Sequence, residues 1–348
     1  MEAPSWLILG GVGYIGRNLV MHLLENNLAS HITVADKVVP AMAHLHPRYE
    51  EIFSRVEFVQ TDLSRNPAKA FTREFDYIVN LAGETRSGMP ESAHRQSSVG
   101  VISACKDRVG RAKWIEISSA KVYRSSNRPN NEESSPEPWT LEGTWRLNAE
   151  RALEGVNHVV LRPGLVYGKG DLTTLTPRAV LAAVYRRMKK KMKVLWGSDL
   201  RINTVYISDL INAIVHTKDL NGVFNVADPS NTTQEDVNRI LQDLFKVKCS
   251  YYSRTISNLA SLHAVAEEAN QIHMAPWAEL CAESGVDSPI SPFVEEENLN
   301  GSHICVDGSR ITQTGFAYQH PRITAELLTE SLGLLIEAGV LPNILNSS

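Results

Sequence analysis

The chain has 348 residues, 43% of them hydrophobic and 21% charged, with a formal net charge of −4. That is enough for one large core, or for one core with a smaller lobe, and it argues against a disordered chain. The charge gives no global reason to expect nucleic acid as a partner, and four separated cysteines without a Cys-x-x-Cys pair (Cys105, Cys249, Cys281, Cys305) argue against a disulfide framework or a zinc site. They read as free thiols of a reducing compartment.

Met1 to Ser5 precede the first apolar run, which leaves no charged segment followed by a cleavable apolar one. No stretch reaches the roughly 18 to 20 uninterrupted apolar residues that a membrane-spanning helix requires. The expectation is a cytoplasmic protein without a membrane span. Residues 6–9, 32–35, 56–59, 77–81, 114–117 and 158–161 are short, mostly aliphatic runs, the pattern of strands buried on both faces. Between them, residues 17–27, 92–109 and 146–155 carry apolar side chains at helical spacing, which is the rhythm of a parallel sheet with crossover helices. After residue 161 the segments 177–193, 232–245, 256–271 and 325–338 read as helices and strand candidates thin out. The expected fold is α/β, a Rossmann doubly wound parallel sheet with a smaller C-terminal α/β substrate lobe, split as residues 1–165 and 166–348 and interleaved. Residues 125–138 and 285–301 read as loops, the second long enough for a lid or a partner-binding insertion. The basic run from Arg186 to Lys191 ends a predicted helix, where it serves as a solvated helix end or as a contact for an anionic surface.

Gly10-Gly11-Val12-Gly13-Tyr14-Ile15-Gly16 lies directly between the first strand and the first helix, the context of a phosphate-binding turn. Glycine permits the tight turn and the close approach of backbone amides to a pyrophosphate, and the helix N-terminus adds partial positive charge. Such a turn also serves plain helix packing. Here it is joined by Asp36 at the end of the second strand, 20 residues after Gly16, where a carboxylate accepts both hydroxyls of an adenine ribose. Asp36 repels a 2′-phosphate, so NAD is favoured over NADP, with the adjacent Lys37 acting in the opposite sense.

The spacing of Gly10, Gly13 and Gly16 resembles that of the extended short-chain dehydrogenase/reductase family, the NAD-dependent epimerase/dehydratase type. Further motifs follow in order along the chain. Thr61-Asp62-Leu63 is similar to the family's adenine contact, Asn80-Leu81-Ala82-Gly83 to its strand-end turn beside the cofactor, and Ile117 through Tyr123 to its catalytic-serine strand. Leu161 through Gly168 resembles the strand that passes the nicotinamide, and Arg201 to Asp209 and Gly222 to Val226 resemble landmarks of the substrate lobe. The resemblance implies a cofactor-binding set of Gly10, Gly13, Tyr14, Ile15, Gly16, Asp36, Asp62, Leu63, Leu81, Ala82, Gly83, Arg146 and Pro163. It also implies a small-molecule substrate, and dimerisation through helices corresponding to residues 92–109 and 146–155.

Family chemistry depends on a Ser or Thr, a Tyr that exchanges a proton with a substrate hydroxyl, and a Lys four residues after the Tyr. Ser119 matches the first. Without a gap, Glu142 stands where the Tyr is expected and Arg146 where the Lys is. An unperturbed Glu is already ionised at neutral pH, and Arg stays protonated, so neither reproduces the pair. At i and i+4 on one helix the two residues can simply pair with each other. Tyr123, Lys121 and Tyr167 do not supply the missing spacing. Ala120 and Lys121 replace the acidic residues that sugar-nucleotide dehydratases carry after the catalytic serine, and Gly164-Leu165 replaces the Asn of many epimerases. Arg201 matches an arginine that contacts a diphosphate in those enzymes, or is a surface arginine leading into a strand.

The eleven histidines are scattered, and neither His44-x-His46 nor the stretch from His263 to His273 brings a third ligand, so no metal is expected. No Gly-x-Ser-x-Gly elbow points to a hydrolase. Three readings follow. In the first, the chain keeps the NAD-binding fold without the proton-transfer pair and works as a cofactor-dependent sensor or as a structural subunit of an assembly. In the second, it is an active oxidoreductase or epimerase on a nucleotide sugar or hydroxysteroid-like substrate, using Ser119 and a Glu142 raised in pKa by burial. In the third, only the fold remains, as an interaction module.

Overall fold

The computed structural model describes residues 3–43 and 46–346. The first half alternates β1 (Ser5–Leu9), α1 (Tyr14–Glu25), β2 (His31–Asp36), α2 (Pro47–Phe53), β3 (Glu57–Gln60), β4 (Tyr77–Asn80), α3 (Glu91–Ser97), α4 (Val99–Cys105), β5 (Lys113–Ile117), α5 (Leu141–Ala152) and β6 (His158–Pro163). The second half follows with β7 (Leu165–Tyr167), α6 (Thr176–Arg187), β8 (Met192–Val194), β9 (Thr204–Tyr206), α7 (Ile207–Thr217), β10 (Gly222–Val226), α8 (Gln234–Phe245), β11 (Cys249–Tyr251), α9 (Arg254–Leu259), α10 (Leu262–Ser284), α11 (Ser309–Thr312) and α12 (Ala325–Glu337).

Seven strands form one parallel sheet in the order β10-β6-β5-β4-β1-β2-β3. Its strands are buried on both faces because alternate side chains enter different cores. Leu7, Leu9, Ile78 and Trp114 meet α4 and α5, whereas Ile8, Val79, Ile115 and Leu161 meet α1, α6, α7 and α8. This is a doubly wound sheet. Gly222–Val226, which the resemblance places in the substrate lobe, is instead the edge strand beside β6. Two short parallel pairs, β7 with β9 and β8 with β11, complete the described strands.

Several expected boundaries differ. Residues 92–109 are not one helix, because α3 and α4 break at Ser98, whose φ of −110° and ψ of −91° leave the helical region and whose hydroxyl donates to His94 O at 2.6 Å. Residues 256–271 split at an extended Ala260, after which Ser261 caps α10 and the helix continues through Pro276 to Ser284. The basic run lies only partly on α6, which ends at Arg187; that guanidinium pairs with Glu279 and Glu283 of α10 at the surface. The segment 285–301 lies as a strap along α10. Trp277 Nε1 donates to Ile290 O at 3.1 Å, and Asn270 exchanges two hydrogen bonds with the Val294 backbone. Its far end reaches the loop after β4, where Ser87 Oγ donates to Asn298 Oδ1 at 2.9 Å and Gly88 N to Glu297 Oε2 at 3.2 Å. Among the described residues, no helix is long and apolar enough to cross a membrane. The four cysteines are free.

Candidate functional site

The order of the sheet reverses between β1 and β4, and the C-terminal ends of the strands at such a reversal form a crevice. A cavity of about 550 Å³ opens there, lined among others by Gly10, Gly13, Tyr14, Asp36, Asp62, Leu63, Leu81, Ala82 and Gly83. Gly10 takes a φ of +74°, and its amide donates to Ala35 O at 2.8 Å. A methyl group on Gly16 would lie 2.5 Å from Gly11 Cα, so only glycine lets α1 start this close to the turn. The first intrahelical bond of α1 runs from Arg17 N to Gly13 O, which leaves the amides of Tyr14, Ile15 and Gly16 at the helix start for an anion.

Asp36 closes the other side. Its Oδ2 accepts from Val12 N at 3.1 Å and its Oδ1 from Val38 N at 3.0 Å, so the carboxylate ties the glycine turn to the end of β2. Each oxygen keeps a further lone pair for a ribose hydroxyl. Burial pushes this carboxyl above its usual pKa, against the pull of those amides. Asp62 Oδ1 accepts from Ser64 N and Ser64 Oγ, which shapes the turn after β3 and places buried Leu63 on the cavity wall.

Further charge in the cavity, beyond Asp36, Lys37 and Asp62, comes from residues that sequence reasoning did not single out. Arg17 is 5% exposed, stacks near the rings of Tyr14 and Tyr49, and donates from Nη2 to Gly170 O at 2.5 Å. Its Nε is buried without a partner among the described residues. The signal for it was its place directly after the third glycine. Glu84 and Arg86 also line the wall and pair at 2.7 Å, which holds the Glu84 carboxyl far below its usual pKa. First-turn amides, a partly satisfied guanidinium and a ribose-facing carboxylate fit the adenosine and diphosphate parts of a dinucleotide.

The positions expected to do chemistry lie beyond this cavity. Ser119, Glu142, Arg146 and Pro163 are not among its lining residues. Ser119, two residues past the end of β5, caps the turn Ala120–Val122, its Oγ accepting from Lys121 N at 3.2 Å. Glu142 and Arg146 do not pair with each other. Glu142 Oε2 is held by Lys121 Nζ at 2.5 Å, because α5 packs on the 120–122 turn at Gly143, where a methyl group would lie 2.9 Å from the Lys121 carbonyl carbon. The Lys121 ammonium thus stands against Glu142 as a direct countercharge. Arg146 points the other way and donates from Nη1 to Ala82 O at 3.0 Å and Ile117 O at 3.1 Å. Pro163 ends β6, where the following amide, Gly164 N, donates to Val226 O at 3.0 Å.

Below them runs a buried polar chain. Ser118 Oγ donates to Glu150, Arg162 Nε donates to Glu150 Oε1 at 2.9 Å, and Arg162 Nη1 donates to Tyr123 OH at 2.7 Å. Tyr123 OH in turn donates to Asn225 Oδ1 at 2.9 Å. At 1% exposure, with its pKa raised by burial, the Tyr123 phenol binds the strands together. Arg201 is not brought to the cavity. Its Nη1 donates to Asn231 O at 2.9 Å and its amide to His303 Nδ1 at 3.0 Å, and Arg254 meets the other face of His303 at 2.7 Å. His44 lies outside the described residues, while His46 caps α2, Nδ1 accepting from Arg48 N at 3.1 Å.

The family described as NAD dependent epimerase/dehydratase matches residues 6–227. A stretch of 183 residues is 28% identical to methionine adenosyltransferase 2 subunit beta of Xenopus tropicalis, covering 50% of this chain and 50% of that protein. The chain thus spans about half the length of the curated relative it matches. Among solved structures, ADP-L-glycero-D-manno-heptose-6-epimerase of Helicobacter pylori is similar with a TM-score of 0.59 and 24% identity, over 72% of this chain and 86% of that one. WbmG of Bordetella bronchiseptica, in complex with NAD and UDP, gives a TM-score of 0.68 and 18% identity over 99% of both chains. dTDP-glucose 4,6-dehydratase of Bacillus anthracis, in complex with NAD, gives 0.67 and 16% over 96% of this chain and 97% of that one. At these identities the likeness is one of fold.

Proposed function

The chain belongs to the NAD dependent epimerase/dehydratase family, and from that membership we propose that it binds NAD without performing the family's proton transfer, as a cofactor-dependent sensor or a structural subunit of an assembly. The observation that carries this reading is the engagement of both substituted positions. Glu142 is paired with Lys121, and Arg146 spans two backbone carbonyls. Neither is set up to take a proton from a substrate hydroxyl, for which a group of near-neutral pKa within hydrogen-bond reach is needed. The nucleotide half supports retained binding through Gly10, Gly13, Tyr14, Ile15, Gly16, Asp36, Asp62 and Leu63. The partner reading draws on the similarity to a protein named as a subunit of methionine adenosyltransferase 2.

The test is a scan for nicotinamide reduction with NAD against pooled sugar nucleotides and hydroxysteroids. The expected outcome is bound nucleotide with no reduction. Reduction that falls steeply in Glu142→Gln would overturn the proposal and establish the active reading, in which Ser119 and Glu142 form the acid/base pair.

A further inference from the structure

We infer that the site takes its affinity from the adenosine diphosphate portion of the ligand, and that the nicotinamide nucleoside contributes none. The inference rests on the nucleotide-binding reading above and specifies which part of the dinucleotide is recognised.

A dinucleotide laid across the reversal between β1 and β4 places its adenosine over β2 and β3 and its second nucleoside over β4, β5 and β6. The cavity is built on the first side. It carries Asp36, Asp62 and Leu63 from the β2 and β3 ends, with the glycine turn and Arg17 at the middle; past β4 its wall runs from Leu81 to Arg86, and none of Ser119, Arg146 and Pro163 from the β5 and β6 side lines it. On the second side the space beside Gly83 is taken by the Arg146 guanidinium. A methyl group on Gly83 would lie 2.5 Å from Arg146 Cζ, and the residue is 8% exposed.

That guanidinium is not a loose side chain. Its two hydrogen bonds join Ala82, the second residue past the end of β4, to Ile117, the last residue of β5, so it closes the gap between the strands over which a second ribose would rest. Withdrawing it would forfeit two charge-assisted bonds and leave two strand-end carbonyls without that donor. Its helix is fixed as well: Thr140 Oγ1 caps α5 by accepting from Gly143 N at 2.9 Å, and the Lys121 to Glu142 pair pins the first turn to the 120–122 turn. The diphosphate, by contrast, meets free amides and Arg17 without any such displacement.

Calorimetric titration of the full chain with NAD, ADP-ribose and ADP tests this, with saturation-transfer NMR on the NAD complex as a second readout. The three dissociation constants are expected within about threefold of one another, and saturation should reach the adenine protons but not the nicotinamide protons. NAD binding at least about tenfold tighter than both shorter ligands, or equal saturation of both bases, would overturn the inference while leaving NAD binding in place. Absence of binding by all three would remove the nucleotide-binding reading itself, and the inference with it.

Discussion

At Glu116, inside the sheet, Oε2 accepts from Trp114 Nε1 at 2.8 Å and Asn80 Nδ2 at 2.8 Å, with 1% of the residue exposed. Burial raises its pKa to about 7, and those two donors and the Arg146 charge only partly offset the rise. The folded pKa is thus above the unfolded one, so the native state holds the extra proton between about pH 4.5 and 7, and stability falls as pH rises through that window. Glu116→Gln mimics the protonated acid and keeps an acceptor for both donors. It should leave the urea midpoint nearly unchanged at pH 4 and raise stability at pH 8 by on the order of 3 kcal/mol. An unchanged midpoint at pH 8 would show that the carboxylate is better solvated than its burial indicates. Neither this group nor the Lys121 to Glu142 pair was legible in the sequence. The resemblance puts Glu142 and Arg146 at the expected Tyr and Lys positions, but the partner of Glu142 lies 21 residues away and meets it only because Gly143 admits the 120–122 turn.

On the scale of elements, the start of α1 carries the most consequence. The apolar spacing suggests a helix from residue 17, yet it begins at Tyr14, because a glycine-rich first turn has little apolar periodicity to report. Gly16→Ala would drive a methyl group against Gly11 backbone, which cannot rotate away as a side chain could. The expected cost is roughly 1 to 3 kcal/mol of stability together with loss of nucleotide binding, read by thermal denaturation and calorimetry. A variant that melts and binds like the parent would show that the turn has more freedom than its close packing implies. The helix breaks at Ser98 and Ala260 escaped the sequence for a related reason. Apolar spacing continues across both, and the break is made by a serine hydroxyl turned onto its own helix and by an extended alanine ahead of a serine cap.

For the molecule as a whole, the alternation of aliphatic runs with amphipathic segments was enough to indicate a parallel sheet covered on both faces, and the glycine turn with Asp36 favoured the doubly wound form over a barrel. The place of Gly222–Val226 at the sheet edge was not indicated, because a strand that returns after two short excursions looks locally like any other. The same limit applies to Arg17 and Arg86, which join the site only when the segments after β1, β4 and β7 converge on one crevice. On the proposed function, this crevice retains a nucleotide although the neighbouring positions are taken by the ion-paired Glu142 and the backbone-bound Arg146. Titrating the purified chain with NAD and NADP in a calorimeter tests it most directly. Saturable NAD binding is expected, with NADP at least about tenfold weaker because Asp36 repels a 2′-phosphate, and with loss of the NAD signal in Asp36→Arg. No heat of binding with NAD would contradict it and leave the fold alone as the functional element.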